Sequence, residues 1–117
     1  MRQLKLLLPW LLCATAGHAS ACAINEQDLL QSWSRSKGGD FEEFKLAREG
    51  GVRSFSSFLD HRLEMTGSWI FTKCLLHVAN GSNAKLSFDY KVVSLDKGVL
   101  TLQDRDSGET SVYKRLR

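Results

Sequence analysis

Proline is almost missing from this chain: one is present in 117 residues, Pro9. Everything after it is free of the residue that removes a ladder hydrogen bond, so composition confines no strand to a sheet edge. Cysteine and histidine are scarce as well, with three of each. A structural zinc site takes four ligands, and beyond residue 21 it would need Cys22, Cys74, His61 and His77 all together. No apolar run reaches the roughly 20 residues of a membrane-spanning helix. Nor is there an excess of one charge: 16 basic residues face 13 acidic ones, for a net +3. Arg2 and Lys5 precede residue 22 and no acidic residue does, so the remainder holds 14 basic against 13 acidic residues, a net +1. Such a balance argues against nucleic acid as a partner, since its binders usually carry a clustered basic patch, and Lys114, Arg115 and Arg117 read as a solvated tail.

The first 21 residues read as a leader. "MRQLKLLLPWLLCATAGHASA" joins a basic start at Arg2 and Lys5, an apolar run from Leu6 to Ala16 and a small-residue exit at Ala19-Ser20-Ala21. These are the three parts of a secretory signal. The expectation is removal of residues 1–21, leaving one small domain over 22–117; an uncleaved N-terminal anchor is the alternative, which Pro9 and the small residues disfavour. Cys22 follows the exit directly and has two readings. One is a lipid-anchored first residue, the single route by which this chain would contact a membrane. The other is half of a disulfide with Cys74, the remaining cysteine, in an oxidising periplasmic or extracellular compartment. Ala-Ser-Ala fits an ordinary Ala-x-Ala exit, and a domain this small gains from a staple. Closing a loop of about 50 residues contributes roughly 4 kcal/mol in the chain-entropy model.

"AINEQDLLQSW" reads as a short helix, with Asn25 as N-cap, Ile24 and Leu29 as a staple, and Leu29, Leu30 and Trp33 on one face. "SRSKGGD" reads as a loop. From Asp40 the pattern has period two. "FEEFKLA" sets Phe44 and Leu46 against Glu43 and Lys45, and "REGG" turns. "VRSFSSFLDHRLEM" reads as one long strand bent near Asp60, carrying Phe55, Leu59, Leu63, Met65 and His61 on its apolar side. Gly67 breaks the run, and "SWIFTKCLLHVA" reads as a strand covered on both faces. "NGSN", "DKG" and "RDSGE" mark later turns. The regular turn spacing predicts a mainly β fold, an antiparallel meander closing into a small barrel beside one short N-terminal helix.

This order of motifs resembles the small bacterial lipocalin-like barrels of the calycin type. The resemblance is carried by "LLQSW", "FEEFKLAREGG", "GSWIF" and the closing series "YKVVSL", "LTLQD" and "VYKRL". It implies a barrel base closed by a tryptophan under an arginine of the last strand, here Trp33 and Arg115, a contact worth roughly 0.5–2 kcal/mol. Gln31 stands where the family has a glycine two residues before that tryptophan, so Trp69 of "GSW" competes for the role.

Little points to catalysis. His61 and His77 have no Asp or Cys at a recognisable spacing, and His61 reads as a satisfied, partly buried side chain. "DRDSGE" lacks the glutamate and flanking helices of a calcium loop and reads as a turn, as does the glycosylation-like "NGS" at 80–82. No enzyme and no cofactor are expected. Two functions remain: an interaction module that binds another envelope protein, as small secreted barrel inhibitors and immunity proteins do, or a carrier of a small apolar ligand. An eight-stranded barrel is just wide enough to be filled by its own side chains. Phe44, Phe55, Phe88, Tyr90 and Leu100 are the expected filling, which favours the protein partner.

Overall fold

The computed structural model describes residues 22–116. Residues 1–21, which the sequence reading expects to be a leader, lie outside the described residues. A single 3-10 turn, Glu26–Leu29, precedes eight strands. These are β1 (Ser32–Lys37), β2 (Glu43–Glu49), β3 (Val52–Leu59), β4 (Arg62–Thr72), β5 (Leu75–Asn80), β6 (Ser87–Asp96), β7 (Val99–Asp104) and β8 (Thr110–Arg115). Each strand pairs antiparallel with its sequence neighbour, and β8 returns to pair with β1, which closes the barrel. Closure leaves no strand edge to be extended by another chain. The architecture is consistent with the lipocalin-like resemblance.

The period-two pattern places the core. Phe44 and Leu46 of β2, Phe55 of β3, Tyr90 and Val92 of β6 and Leu100 of β7 point inward and are buried. Lys45, Thr66, Lys91 and Gln103 alternate with them on the outside. An apolar interior behind a wall of polar and charged residues, with apolar side chains such as Val52, Ile70 and Val93 set among them, differs from a transmembrane barrel, whose outer band is apolar.

Several local expectations are corrected. Ser32–Lys37 is a strand, and Trp33 sits on it rather than on a helix. Its backbone is taken by ladders on both sides, Trp33 lying across from Phe44 and from Arg115. The N-terminal helix is accordingly only the four-residue turn, capped by Asn25, whose Oδ1 accepts from Gln27 N at 2.9 Å. The long run from Val52 is two strands, with Asp60 (φ 54°) and His61 (φ 64°) forming the connection. Both residue types are enriched in left-handed backbone, and paired positive φ values match a hairpin's twist. His61 is therefore exposed at a hairpin tip, as are Leu59 and Leu63 beside it. The same device recurs at Lys73 (φ 54°) and Cys74 (φ 64°), which places Cys74 in a turn rather than mid-strand. Gly67 lies inside β4 and does not end it. A Cβ there would collide with the carbonyl oxygen of Ala79 on β5, so glycine permits the close approach of two backbones.

Candidate functional site

Strand order separates the connections into two ends. At the base lie the 3-10 turn and the connections at 50–51, 73–74 and 97–98; at the rim lie those at 38–42, 60–61, 81–86 and 105–109.

The base is closed by the N-terminal segment. Leu29 is fully buried, and its carbonyl accepts the Trp33 Nε1 hydrogen at 3.1 Å. Cys22 and Cys74 form a disulfide with Cα atoms 5.5 Å apart, tying the segment to the β4–β5 turn. Glu26 receives Arg48 Nη1 and Arg53 Nε at 2.5 and 2.9 Å. The Arg53 hydrogen bond, helped by Arg48, holds the Glu26 carboxyl below its ordinary range although burial opposes it. Arg53 also lies over the Trp69 ring, 5.6 Å from its centroid, while Trp69 Nε1 donates to Ala47 O at 3.0 Å.

The rim is closed by the β1–β2 loop. Phe41 turns into the barrel mouth, 5 % exposed, with its ring centroid 5.0 Å from those of Phe55 and Phe88 and 6.0 Å from that of Phe44. Two buried tyrosines latch it. The Tyr113 hydroxyl accepts from Phe41 N at 3.4 Å and donates to Phe41 O at 3.0 Å, while Tyr90 donates to Asp40 Oδ2 at 2.5 Å. Burial pushes the Tyr113 hydroxyl up to about 12. Burial and then Asp40 push Tyr90 higher still. Gly39 (φ +93°) passes so close beneath the Tyr113 hydroxyl that a Cβ would strike it. The interior is thus filled by Phe44, Phe55, Phe88 and Tyr113 in edge and stacked contacts, with Phe41 as the plug.

Open space lies on the outside. A mainly polar recess of about 370 Å³ at the base is lined by Trp33, Gly98 and Arg115, with Asp28 and Lys97 beside them. Trp33 and Arg115 are direct cross-strand partners there, and the Arg115 side chain passes over Gly98. The two tryptophans singled out in the sequence therefore occupy different positions: Trp33 beside Arg115, and Trp69 beneath Arg53, an arginine that the sequence reading did not select. A second, mainly apolar groove of about 470 Å³ runs along the outer wall of β4–β6 between Ile70, Leu75 and the Arg105 side chain. Ile70 is 55 % exposed and Leu75 38 %. Along the groove, His77 Nδ1 and Asp89 Oδ1 lie 2.7 Å apart.

Sequence reading missed the plug, its tyrosine latches, the Glu26 clamp and the groove. For the plug a signal was present: a phenylalanine directly after Gly38-Gly39-Asp40, in a loop otherwise polar. Among the described residues, no group of three or more His, Cys, Asp or Glu side chains is arranged to hold a metal ion. A scan against protein-family models, a search of curated proteins and a search of solved structures each returned no match.

Proposed function

We propose that this chain is a non-enzymatic interaction module of the bacterial cell envelope, exported by its leader to the periplasm or beyond, where it binds another protein through its outer surface. The supporting observation is the division of apolar surface. The interior is occupied by the chain's own aromatic rings, and both mouths are closed by the chain itself, by Leu29 at the base and Phe41 at the rim. Side chains such as Ile70 face outward instead. A lipocalin-type carrier needs the opposite arrangement, a roomy apolar interior with an open mouth. The disulfide is compatible with an oxidising compartment. It also bears on anchoring, since a Cys22 sulfur bonded to Cys74 has no valence left for a lipid.

Two measurements on the exported protein test this reading. Intact mass of material isolated under native conditions should show the chain shortened by residues 1–21, lighter by two hydrogens and free of lipid. Chemical cross-linking in an envelope extract should join it to a protein. Retention of a stoichiometric apolar small molecule, with no cross-linked partner, would replace the module by a carrier.

A further inference from the structure

The closed barrel restricts how a partner can dock. With every strand paired on both sides, no ladder is open to strand addition, so contact must be made through the outer wall or through either end of the barrel. The geometry points to the β4–β6 wall groove as the docking surface, and to an acidic protein segment carrying aliphatic or aromatic side chains as its occupant. This inference rests on the interaction-module reading and gives it a surface and a partner chemistry.

Three observations combine. First, register places the apolar residues together. Ile70 pairs across from His77, and Thr72 from Leu75, so Ile70 and Leu75 lie on one outward face, staggered by one pair. A groove of about 470 Å³ lies between them. Second, the surrounding charge has one sign to spare. Lys73 and Arg105 line the groove, and neither has an ion-pair partner among the described residues. Lys91 adds a third cation on the exposed face, opposite Leu75. The groove's carboxylate, Asp89, is already engaged by His77 at 2.7 Å. Third, Ile70, Thr72, Leu75, His77 and Asp89 lie on paired strands, a platform with little ordering entropy left to lose on binding, while Lys73 and Arg105 stand on adjoining turns. Apolar side chains of the partner would fill the groove while its carboxylates meet Lys73 and Arg105, the arrangement of an apolar centre inside a polar rim.

The test uses the full chain, exported and isolated with its bridge intact, and two probe peptides: one alternating leucine with glutamate, and its counterpart with lysine in place of glutamate. The acidic peptide should bind and the basic one should not, with affinity falling as salt is raised. Lys73→Glu with Arg105→Glu should weaken the acidic peptide at least about tenfold and admit the basic one. Ile70→Ser with Leu75→Ser should weaken it comparably, and Val52→Ser, 68 % exposed on β3, should leave it unchanged. Unfolding midpoints of all variants confirm that outward substitutions leave the fold intact. Equal binding of both peptides, binding of neither, or insensitivity to the groove variants would overturn the assignment. So would a dimer in sedimentation that the Ile70 and Leu75 variants disperse, since that occupant is a second copy. Failure of the surface and failure of the module separate in the envelope extract. Cross-linked proteins identical for the wild type and the Ile70/Leu75 variant reject the groove alone, whereas none for the wild type rejects the module as well.

Discussion

Phe41 is the side chain on which the sealed interior depends, and Phe41→Ala makes that dependence measurable. Burying a phenylalanine ring contributes about 1.5–3 kcal/mol. Phe41 also has tilted and edge-on neighbours in Phe55 and Phe88, each with its centroid at 5.0 Å, and each such pair adds about 0.5–1.5 kcal/mol. Phenylalanine-to-alanine changes in cores cost about 3–5 kcal/mol. Because the plug sits at a barrel mouth, water can enter the space it leaves, which places the cost at the lower end, about 3 kcal/mol. For a domain of this size that lowers the midpoint of thermal unfolding by about 12–24 °C. Urea unfolding followed by tryptophan fluorescence reads the loss directly through Trp33 and Trp69, both 1 % exposed. The second half of the prediction concerns the vacated mouth. The variant should gain a saturable site for an apolar fluorescent dye such as N-phenylnaphthylamine that persists when Ile70 and Leu75 of the outer groove are changed to serine, while the wild type has no such site. A loss below about 1 kcal/mol, or saturable dye binding by the wild type that survives those two changes, would refute the account of a chain-filled, chain-capped barrel.

Three further outcomes follow from separate contacts. Cys22 and Cys74 are separated by 52 positions, so Cys22→Ser with Cys74→Ser should lower stability by about 4 kcal/mol in the chain-entropy model. Reduction of the wild type should reproduce that loss in a denaturant titration, and a change under 1 kcal/mol would show that the tether adds nothing. Gly67→Ala forces a methyl group against the Ala79 carbonyl and should cost about 1–3 kcal/mol by calorimetry, whereas Gly50→Ala, with open space around it, loses only what its φ of +63° imposes. Stability should fall at both extremes of pH. Glu26 is held below its ordinary value of 4.5 in the fold, so its contribution is present above that pH and is lost as pH falls through the folded value. Tyr113 is raised from 10.0 to about 12, so its contribution is present below pH 10 and is lost as pH rises toward 12. Glu26→Gln should flatten the acid limb of a stability-against-pH curve and Tyr113→Phe the alkaline one; a limb unaltered by its variant would remove that residue from the explanation.

The fold class and most of the filling could be read from the sequence, because glycine marked the connections at 50–51, 97–98 and 108, and period two ran through β2, β7 and the first part of β6, up to the bulge between Val92 and Ser94. The outer groove could not. Two hairpin connections, Asp60-His61 and Lys73-Cys74, adopt left-handed backbone without glycine. Such positions carry a cost of roughly 1–2 kcal/mol each for an ordinary side chain. The surrounding ladders impose that geometry, and at Lys73-Cys74, unlike Asp60-His61, neither residue type marks it. The consequence for Lys73-Cys74 is a reversal of parity. Read straight through the turn, Ile70 shares a face with Leu76, and Leu75 shares one with Trp69. With the turn in place, Trp69, Leu76 and Val78 point inward, while Ile70 and Leu75 stand outside together. β1 was missed for a different reason: in "SWSRSK" a single tryptophan faces the core, too little for a periodic signal.

The bridge also gives the barrel a mechanical asymmetry. Residues 22–74 form a covalent ring enclosing β1 to β4, and β5 to β8 hang from it as an open tail. Both the ring's junction and the end of β8 lie at the base, so tension applied through the two ends of the folded chain would peel β8 from β1 one pair at a time rather than shear the whole ladder at once. Extension would then stop. The stretch beyond Cys74 that can be drawn out is about 150 Å at full extension, and the ringed strands bear no direct load until the sulfur–sulfur bond is cut.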